Sequence, residues 1–399
     1  MNKKWLLLAA TLFAFQIGGC TLAPQYSKPA SPVPESWPAG AAYQDPKAAP
    51  NAPAAPDLPW REFFTDSRLR ELIETSLHNN RDLRLAVLNV ERAQAYYGVQ
   101  RAELFPSVGA TGSGSRERVP ADLSSTGQAR TNERYDVRFG ISAWEIDVFG
   151  RIRSLKDKAL EEYLATDQAR RGTQILLISS VANAYLALAA DREHLKLAAD
   201  TLQTREEAYR LIRKRFDLGL ASELDLRQAQ SQVDAARGEV ARVTQVAALD
   251  ENALTLLVGA TPRESLLPKD LSGISPPREI SAGLSSEILL QRPDVLASEH
   301  RLKASNANIG AARAAFFPRI SLTASLGTAS ADLSGLFKSG SGTWSFVPLI
   351  AMPIFDARIM RFISVGDVGN SAMRHDSPRC FTASRTFSFC TQRNLILCL

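Results

Sequence analysis

The sequence predicts a mainly α-helical chain with a small β-hairpin membrane part, built from an internal structural duplication. Three observations predict this fold class. One string of residues recurs at a constant spacing, each copy changes from a helical to a strand-like period, and no proline interrupts residues 151–258. The period of the apolar residues distinguishes helix from strand, and the repeat shows how the elements are grouped.

The composition is that of a folded chain whose body carries almost no net charge. Of the 399 residues, 45% are hydrophobic and 22% are charged, with a formal net charge of +5. Residues 357–399 contain six Arg and two Asp and supply +4 of that charge, so residues 1–356 are nearly neutral. Nucleic-acid-binding proteins concentrate positive charge on a folded face. We therefore expect no nucleic acid among the partners.

Residue types that carry catalysis or bind metals are sparse. Cys20 stands alone near the start, the other three Cys follow residue 379, and no His lies at zinc-ligand spacing from a Cys. The HExxH, GxSxG and P-loop motifs are absent from the sequence. We expect no catalytic residue, no metal site and no cofactor, which argues against an enzyme such as a lipid-anchored wall hydrolase.

The first sixty residues predict an export signal and a lipid anchor. Residues 1–19 have the basic start, short apolar run and small residues of a signal peptide. Ile17-Gly-Gly-Cys20 resembles a bacterial lipobox, so Cys20 is the expected lipidation site; ordinary cleavage beside an incidental Cys is the alternative. Thr21 is not the Asp of inner-membrane lipoproteins, which implies the outer membrane. Residues 20–60, rich in Pro and Ala, are expected to be a lipid-anchored extended segment.

The duplication aligns Tyr97–Pro106 with Ile309–Pro318 at a constant offset of 212 residues, and pairs Gly98 with Gly310. Each copy opens with a predicted helix that ends before a Phe-Pro pair. The predicted units are a first repeat at 61–258, a linker or equatorial segment at 259–284, an incomplete second repeat at 285–355, and a tail at 356–399.

After each Phe-Pro pair the apolar period changes to two, which predicts β-hairpins at 107–146 and 319–353. Their strands are about 10 residues long, enough to cross a bilayer when tilted. The polar segments Glu117–Asn132 and Ser330–Thr343 are expected to be external loops. A soluble sheet packed on helices is the alternative, and Pro348 in the last strand favours it because proline removes a ladder donor.

Two hairpins supply four strands, which are too few to close a barrel. Unpaired N–H and C=O groups at a sheet edge cost several kcal/mol each in lipid, and about eight strands form the smallest usual barrel. Transmembrane strands in this number require several copies of the chain to share one barrel. The sequence therefore predicts an oligomer.

The proline-free region at 151–258 predicts a long helical hairpin. A continuous helix over Arg151–Phe216 would be about 100 Å long. Its apolar stretch Ile175–Ala190 contains polar residues and is expected to be helix core, not a membrane span. The hairpin is expected to turn at Gly219 and to restart at Ser222 through a capping box.

Together these features resemble the outer-membrane factor family, the TolC-type channels of tripartite efflux pumps, and especially its lipidated, multidrug-exporting branch. The resemblance rests on the lipobox, the doubled plan, the string Trp144-Glu-Ile-Asp-Val-Phe-Gly-Arg151 and the turn at Phe216–Gln230. It implies a homotrimer whose four strands per chain form a 12-stranded β-barrel in the outer membrane, above a long periplasmic α-barrel. It also implies a lipid-anchored channel that exports drugs or other toxic compounds and performs no chemistry.

The resemblance further implies two protein partners, a periplasmic adaptor (membrane fusion protein) and an inner-membrane transporter of the resistance–nodulation–division (RND) type. It assigns the adaptor contact to the tip of the helical hairpin, at Leu218, Gly219, Leu220 and Ser222. The alternative is an outer-membrane structural or adaptor-type lipoprotein without channel activity.

Residues 356–399 depart from the family pattern. They contain no Glu or Lys, three of the four Cys, and a poor helical period. The resemblance would place a second long helical hairpin with its own tip here. We expect a frameshift near Ala357–Arg358 and hence a truncated, impaired product; a divergent natural C-terminus is the alternative.

Overall fold

The computed structural model describes residues 21–28, 58–278 and 286–354. The predicted signal peptide, the lipidation site Cys20 and the tail from residue 356 lie outside the described residues.

The described residues form six α-helices and four β-strands. The helices are α1 (Trp60–Phe63), α2 (Ser67–Asn79), α3 (Arg81–Ala102), α4 (Arg151–Asp217), α5 (Glu223–Val258) and α6 (Pro293–Ala314). The strands are β1 (Val108–Val119), β2 (Arg130–Ile146), β3 (Arg319–Ser330) and β4 (Gly342–Ala351). Each repeat thus runs from a helix (α3 or α6) into a β-hairpin.

Local sequence signals set the ends of the two longest helices. The 67-residue α4 starts after Gly150, whose φ of 76° lies in the left-handed region that favours glycine. α5 starts after Ser222 with a complete capping box and ends at Gly259, with φ 73°. A Cβ at Gly259 would lie 2.8 Å from the carbonyl oxygen of Asn79, so only glycine lets α2 approach the end of α5 this closely.

The core lies where α2 packs against α4 and α5, at the end of their hairpin opposite the turn. Its buried apolar side chains come from all three helices: Leu69, Leu72, Ile73, Leu177, Ile178, Val181, Leu188, Leu254 and Val258. Tyr185 is fully buried among them. Each large apolar side chain contributes about 1.5–3 kcal/mol on burial, which makes this cluster the main stabilising contact of the hairpin.

By length and composition α4 is the one helix in the described part of the chain that could cross a membrane. Residues of its apolar stretch, including Val181 and Leu188, belong to the core. Ile175 and Leu176 in the same stretch are exposed. α4 therefore has one face in the core and leaves a second apolar face open.

The four strands form one antiparallel sheet in the order β1-β2-β3-β4. Besides the two hairpin ladders, β2 pairs with β3 and joins the two repeats, with Ile141 opposite Ala324. β1 and β4 are the two edges of the sheet.

The strands extend further than the sequence predicted. The expected loop Glu117–Asn132 is shorter, because Glu117 pairs with Asn132 and the ladder continues to Val119 opposite Arg130. Arg116 and Glu133 form an ion pair of 2.9 Å across these strands. Opposite charges that face each other stabilise a ladder, so the charged residues continue the strands here. The expected loop Ser330–Thr343 is likewise shorter, since β3 ends at Ser330 and β4 starts at Gly342.

Candidate functional site: the sheet, the segment after Cys20 and the helical tip

The sheet has one apolar face and one polar face. Register and alternation place large apolar side chains of neighbouring strands on the same face: Val108, Val137, Phe139, Ile141, Leu326, Trp344, Phe346 and Ile350. Phe139 is 61% exposed, Leu326 69% and Trp344 78%. An exposed apolar face of this extent marks a surface that meets lipid or another apolar partner.

The opposite face carries mainly small and polar residues, apart from Val347 and Leu349 of the edge strand β4. On this face Ser325 and Ser345 are joined by a hydroxyl hydrogen bond of 2.7 Å. Arg134, Asp136 and Arg138 follow one another on this face of β2, at alternate positions. These three residues are not among the site residues that the sequence predicts, although their spacing of two along a strand is a visible signal. Apolar-out and polar-in alternation is typical of membrane β-barrels whose interior contains water.

Pro348 lies in an edge strand and costs the chain no ladder bond. The N–H of Ala329 donates to the carbonyl oxygen of Ser341 at 2.9 Å, which makes this opposed pair a hydrogen-bonded one. Hydrogen-bonded pairs alternate with non-bonded pairs along an antiparallel ladder, so Pro348 opposite Leu322 belongs to a non-bonded pair. Its nitrogen faces away from β3, toward the open edge. The objection that Pro348 raised against a paired strand therefore does not apply to the β3–β4 ladder.

A compact junction joins the sheet to the helices. Arg151 donates two hydrogen bonds to Glu145, at 2.8 and 2.6 Å, so the end of β2 is fixed to the start of α4. Asp147 accepts the backbone N–H groups of Ile152 and Arg153 and caps α4. Ala143 has a φ of 48° at the irregularity of β2, which bends the strand here. The string from Trp144 to Arg151 thus fixes the sheet on the helical body.

The junction also joins the two repeats. Phe149 stacks on Phe317 with their ring centroids 4.8 Å apart, and Trp144 Nε1 donates to the Leu104 carbonyl oxygen at 3.3 Å. Both Phe-Pro segments therefore contact the string that connects β2 to α4.

Residues 21–28, which follow Cys20, lie along α6. Asn306 Nδ2 donates to the Pro24 carbonyl oxygen at 2.7 Å, and Arg313 donates to that of Leu22 at 3.5 Å. At the other end, Lys28 forms an ion pair of 3.4 Å with Glu299. From residue 299 to residue 313 a helix rises about 21 Å, and six extended steps from residue 22 to residue 28 span about 20 Å. The segment is therefore stretched along the helix, with its Cys20 end toward the sheet.

The packing of this segment depends on Gly310. A Cβ at this position would lie 2.7 Å from the Ser154 hydroxyl oxygen and 2.8 Å from the Ala23 Cβ. The sequence predicts an extended segment after Cys20 but not this contact with α6.

The turn between α4 and α5 forms the tip of the helical hairpin and contains the four predicted contact residues. Gly219 has a φ of 76°, and the N–H of Leu220 donates to the carbonyl oxygen of Arg215 at 2.7 Å, the bond pattern of a glycine-terminated helix. Leu218 is 74% exposed and Leu220 66%. Ser222 turns the chain into α5.

Hydrogen bonds rigidify the restart of the helix at the tip. The Ser222 hydroxyl lies 2.7 Å from an Asp225 carboxylate oxygen, and the Ser222 N–H donates to the same atom at 3.0 Å. These two bonds hold the pKa of Asp225 below its usual value. Leu224, which sequence reasoning did not include, is 66% exposed beside them. The tip therefore presents exposed leucines on a fixed backbone.

The part of the chain that the structure describes contains no group of three or more His, Cys, Asp or Glu that could hold a metal ion.

A sheet with an apolar and a polar face, carried on long helices, defines a β-barrel component of a membrane protein with a helical body. The sequence matches the protein family "Outer membrane efflux protein" over residues 72–260 and 284–361. The chain belongs to this family.

Named relatives and solved structures agree with this assignment. The chain is 50% identical to the probable efflux pump outer membrane protein TtgC of Pseudomonas putida, over 90% of this chain and 73% of that protein. It is 43% identical to the outer membrane protein OprJ of Pseudomonas aeruginosa, over 89% of this chain and 73% of that protein.

Among solved structures, the open state of the MtrE outer membrane channel of Neisseria gonorrhoeae matches with a TM-score of 0.76 and 37% identity, covering 88% of this chain and 77% of that one. A membrane protein from Pseudomonas aeruginosa matches with a TM-score of 0.78 and 40% identity, covering 88% and 78%. The predicted family, fold class and outer membrane location are confirmed.

Proposed function

We propose that the chain is the outer-membrane channel subunit of a tripartite efflux pump, and that three copies share a 12-stranded barrel. The observation that carries this proposal is the sheet itself, which has four strands, two free edges and one exposed apolar face. In lipid the free edges would leave N–H and C=O groups unpaired at several kcal/mol each. Pairing β4 of one copy with β1 of the next removes both edges.

The proposed cargo is drugs, solvents or other toxic compounds. Support comes from the relatives, which include a toluene efflux pump outer membrane protein and an antibiotic efflux pump outer membrane protein of Pseudomonas putida. The channel subunit conducts these compounds outward and performs no chemical step.

The proposed partners are a periplasmic adaptor and an RND-type inner-membrane transporter. The adaptor would contact the tip at Leu218, Gly219, Leu220 and Ser222. Two exposed leucines on a rigid turn support this assignment, because interface energy concentrates in apolar side chains that a partner can bury on a preorganised backbone.

The proposed membrane anchor is a diacylglycerol on Cys20. The direction of residues 21–28 supports it, since Leu22 lies at the end of α6 that leads into β3. Mass spectrometry of the mature chain tests the modification, and an unmodified Cys20 thiol would contradict it.

Residues 356–399 are proposed to come from a shifted reading frame, and the chain is therefore proposed to assemble weakly. Their composition supports this, because 44 residues without Glu or Lys are unlike the charged helices α4 and α5. The exposed apolar residues of α3 and α4, such as Val99 and Leu176, would then lack a cover. Reading the gene in all three frames after the Phe355 codon tests this proposal. It would be contradicted if neither of the other two reading frames encoded a helical hairpin.

Conductance in planar lipid bilayers tests the channel proposal. We expect trimers of the full chain, purified from the outer membrane in detergent, to form discrete ion-conducting pores. The alternative function, a structural or adaptor-type lipoprotein, predicts outer-membrane trimers or monomers that conduct no ions. Export of a toxic dye is then measured in a strain that lacks its own channel and carries either this gene or its frame-corrected version. Export by the frame-corrected version alone indicates weak assembly of this chain, and export by neither indicates that the channel function is absent.

A further inference from the structure

We propose that Arg134, Asp136 and Arg138 form a basic ring inside the shared barrel, which favours the passage of anions and carboxylate-bearing compounds. This inference rests on the proposed function, because the ring exists only when copies of the chain surround a common lumen.

The three side chains lie on the polar face of the sheet. They occupy alternate positions of β2, opposite Ser115, Ser113 and Thr111 of β1. The intervening residues Tyr135 and Val137, and Phe139 after them, lie on the apolar face. A barrel that turns its apolar face to lipid must therefore turn the three charged side chains to the water of the lumen.

The triad carries one positive charge that its own carboxylate does not neutralise. Asp136 is only 7% exposed and accepts hydrogen bonds from Arg134 Nε at 3.4 Å and from Arg138 Nη2 at 3.3 Å. One carboxylate thus holds two guanidinium groups in place. Arg134 remains 60% exposed and Arg138 35% exposed at the side chain, so both present charge to the lumen.

Arg138 has unused capacity to donate a hydrogen bond. Its Nε is buried and has no hydrogen-bond partner among the described residues. Gly327 lies opposite it in the register with β3, and a Cβ there would be 2.8 Å from the Arg138 Cα, so no side chain covers this position. Because Nε itself is buried, an anion in the lumen would meet the 35% of the Arg138 side chain that is exposed.

The other charged residues on the polar face do not cancel the net positive charge of these three residues. Glu117 and Arg130 lie nearer the external loop and offset each other. Glu145 lies at the helical end and is bound to Arg151 at 2.6 Å. Arg319, at the start of β3, adds a further positive charge. The lumen face of each copy is therefore net positive at the level of the triad.

Reversal potentials test the ring. Wild-type trimers in a planar bilayer, under a potassium chloride gradient near 0.1 M, are expected to prefer chloride over potassium. Arg138→Gln and Arg134→Gln should each lower the chloride-to-potassium permeability ratio about twofold, since unscreened charges act over a Debye length of about 10 Å. Asp136→Asn should raise the ratio. When benzoate replaces chloride, the anion-to-potassium permeability ratio should rank the variants in the same order.

The matched control is Arg116→Gln, which makes the same change of charge on the opposite face of β1 and should leave the ratio unchanged. All differences should vanish near 1 M salt, where the Debye length is about 3 Å. Two results in conducting trimers would overturn the ring but leave the channel proposal intact. In the first, Arg138→Gln and Asp136→Asn shift the permeability ratio in the same direction. In the second, neither variant shifts the ratio further than Arg116→Gln does. Trimers of the frame-corrected chain that do not conduct would overturn both.

Discussion

The Tyr185 hydroxyl donates a hydrogen bond to Asp66 Oδ2 at 3.3 Å and so connects residues 119 positions apart. Asp66 also caps α2 by accepting the N–H groups of Arg68 and Leu69. The same carboxylate thus starts α2 and holds it against α4. This relationship fixes the core at the end of the helical hairpin that supports the membrane sheet.

Tyr185→Phe should lower the free energy of unfolding by about 1–3 kcal/mol, because Asp66 would stay buried and lose a donor. Burial, with Asp66 as a further cause, raises the pKa of Tyr185 from 10.0 to about 12. The raised pKa means that the stabilisation is complete below pH 10 and is lost as the pH rises toward 12. Urea unfolding in detergent across this pH range measures both effects.

The control for this substitution is Tyr96→Phe, since Tyr96 is 57% exposed on α3. Between pH 10 and 12 the free energy of unfolding should fall more steeply for the wild type than for Tyr185→Phe. Equal slopes for the two proteins would contradict the role of the buried hydroxyl.

A carboxylate pair between α4 and α5 predicts a loss of stability with rising pH in the acidic range. The hydrogen bond with Asp191, followed by burial, raises the pKa of Asp250 above its ordinary value of 3.8. The folded chain therefore binds a proton more readily than the unfolded chain, and the resulting stabilisation, present below pH 3.8, is lost as the pH rises through the raised pKa. Asp250→Asn should raise the melting temperature at pH 7 and abolish this part of the pH dependence.

Melting temperatures of both proteins between pH 4 and pH 7, followed by circular dichroism, measure the effect. Asp200→Asn, at an exposed position of α4, serves as the control for the loss of one negative charge. Equal gains at pH 7 from both substitutions would assign the effect to net charge and not to the pair.

The tip gives a local prediction. Ser222→Ala removes the hydroxyl that accepts the Asp225 N–H at 3.1 Å. A cap bond of about 1 kcal/mol corresponds to roughly fivefold faster amide exchange in the first turn of α5. The pKa of Asp225 should rise toward its ordinary value, since its lowering comes first from the Ser222 hydroxyl. Hydrogen exchange measures the first effect, and Ser231→Ala, at an exposed position inside α5, should produce neither.

Elements with local signals could be predicted from the sequence, and contacts between distant polar residues could not. The helix end at Gly219 and the start at Ser222 depend on residues within one turn, so their types were sufficient. The alternation along β2 also showed which side chains share a face. By contrast, the contact of Pro24 with Asn306 joins residues 282 positions apart through a backbone carbonyl, which leaves no trace in local periodicity.

The duplication provides a matched pair of substitutions for the segment after Cys20. Gly310 and Gly98 are equivalent positions of the two repeats, but only Gly310 contacts residues 21–28; a Cβ at Gly98 would have nothing within 4 Å. Gly310→Ala would place a methyl group 2.8 Å from the Ala23 Cβ, closer than carbon atoms approach without displacement. Since the backbone of α6 is held by its own hydrogen bonds, the segment should be displaced.

We therefore expect Gly310→Ala to speed amide exchange in residues 21–28 and chymotrypsin cleavage after Tyr26, whereas Gly98→Ala should change neither and should stabilise α3 slightly through its better helix propensity. Tyr26 should be cut faster because its contact with Lys303, whose Nζ lies 5.4 Å from the ring centroid, depends on the same alignment along α6. Asn306→Ala, which removes the hydrogen bond to Pro24 without adding bulk, should act in the same direction as Gly310→Ala. If Gly98→Ala exposes residues 21–28 as much as Gly310→Ala does, then general helix perturbation releases the segment, and its contact with α6 does not hold the Cys20 end beside the sheet.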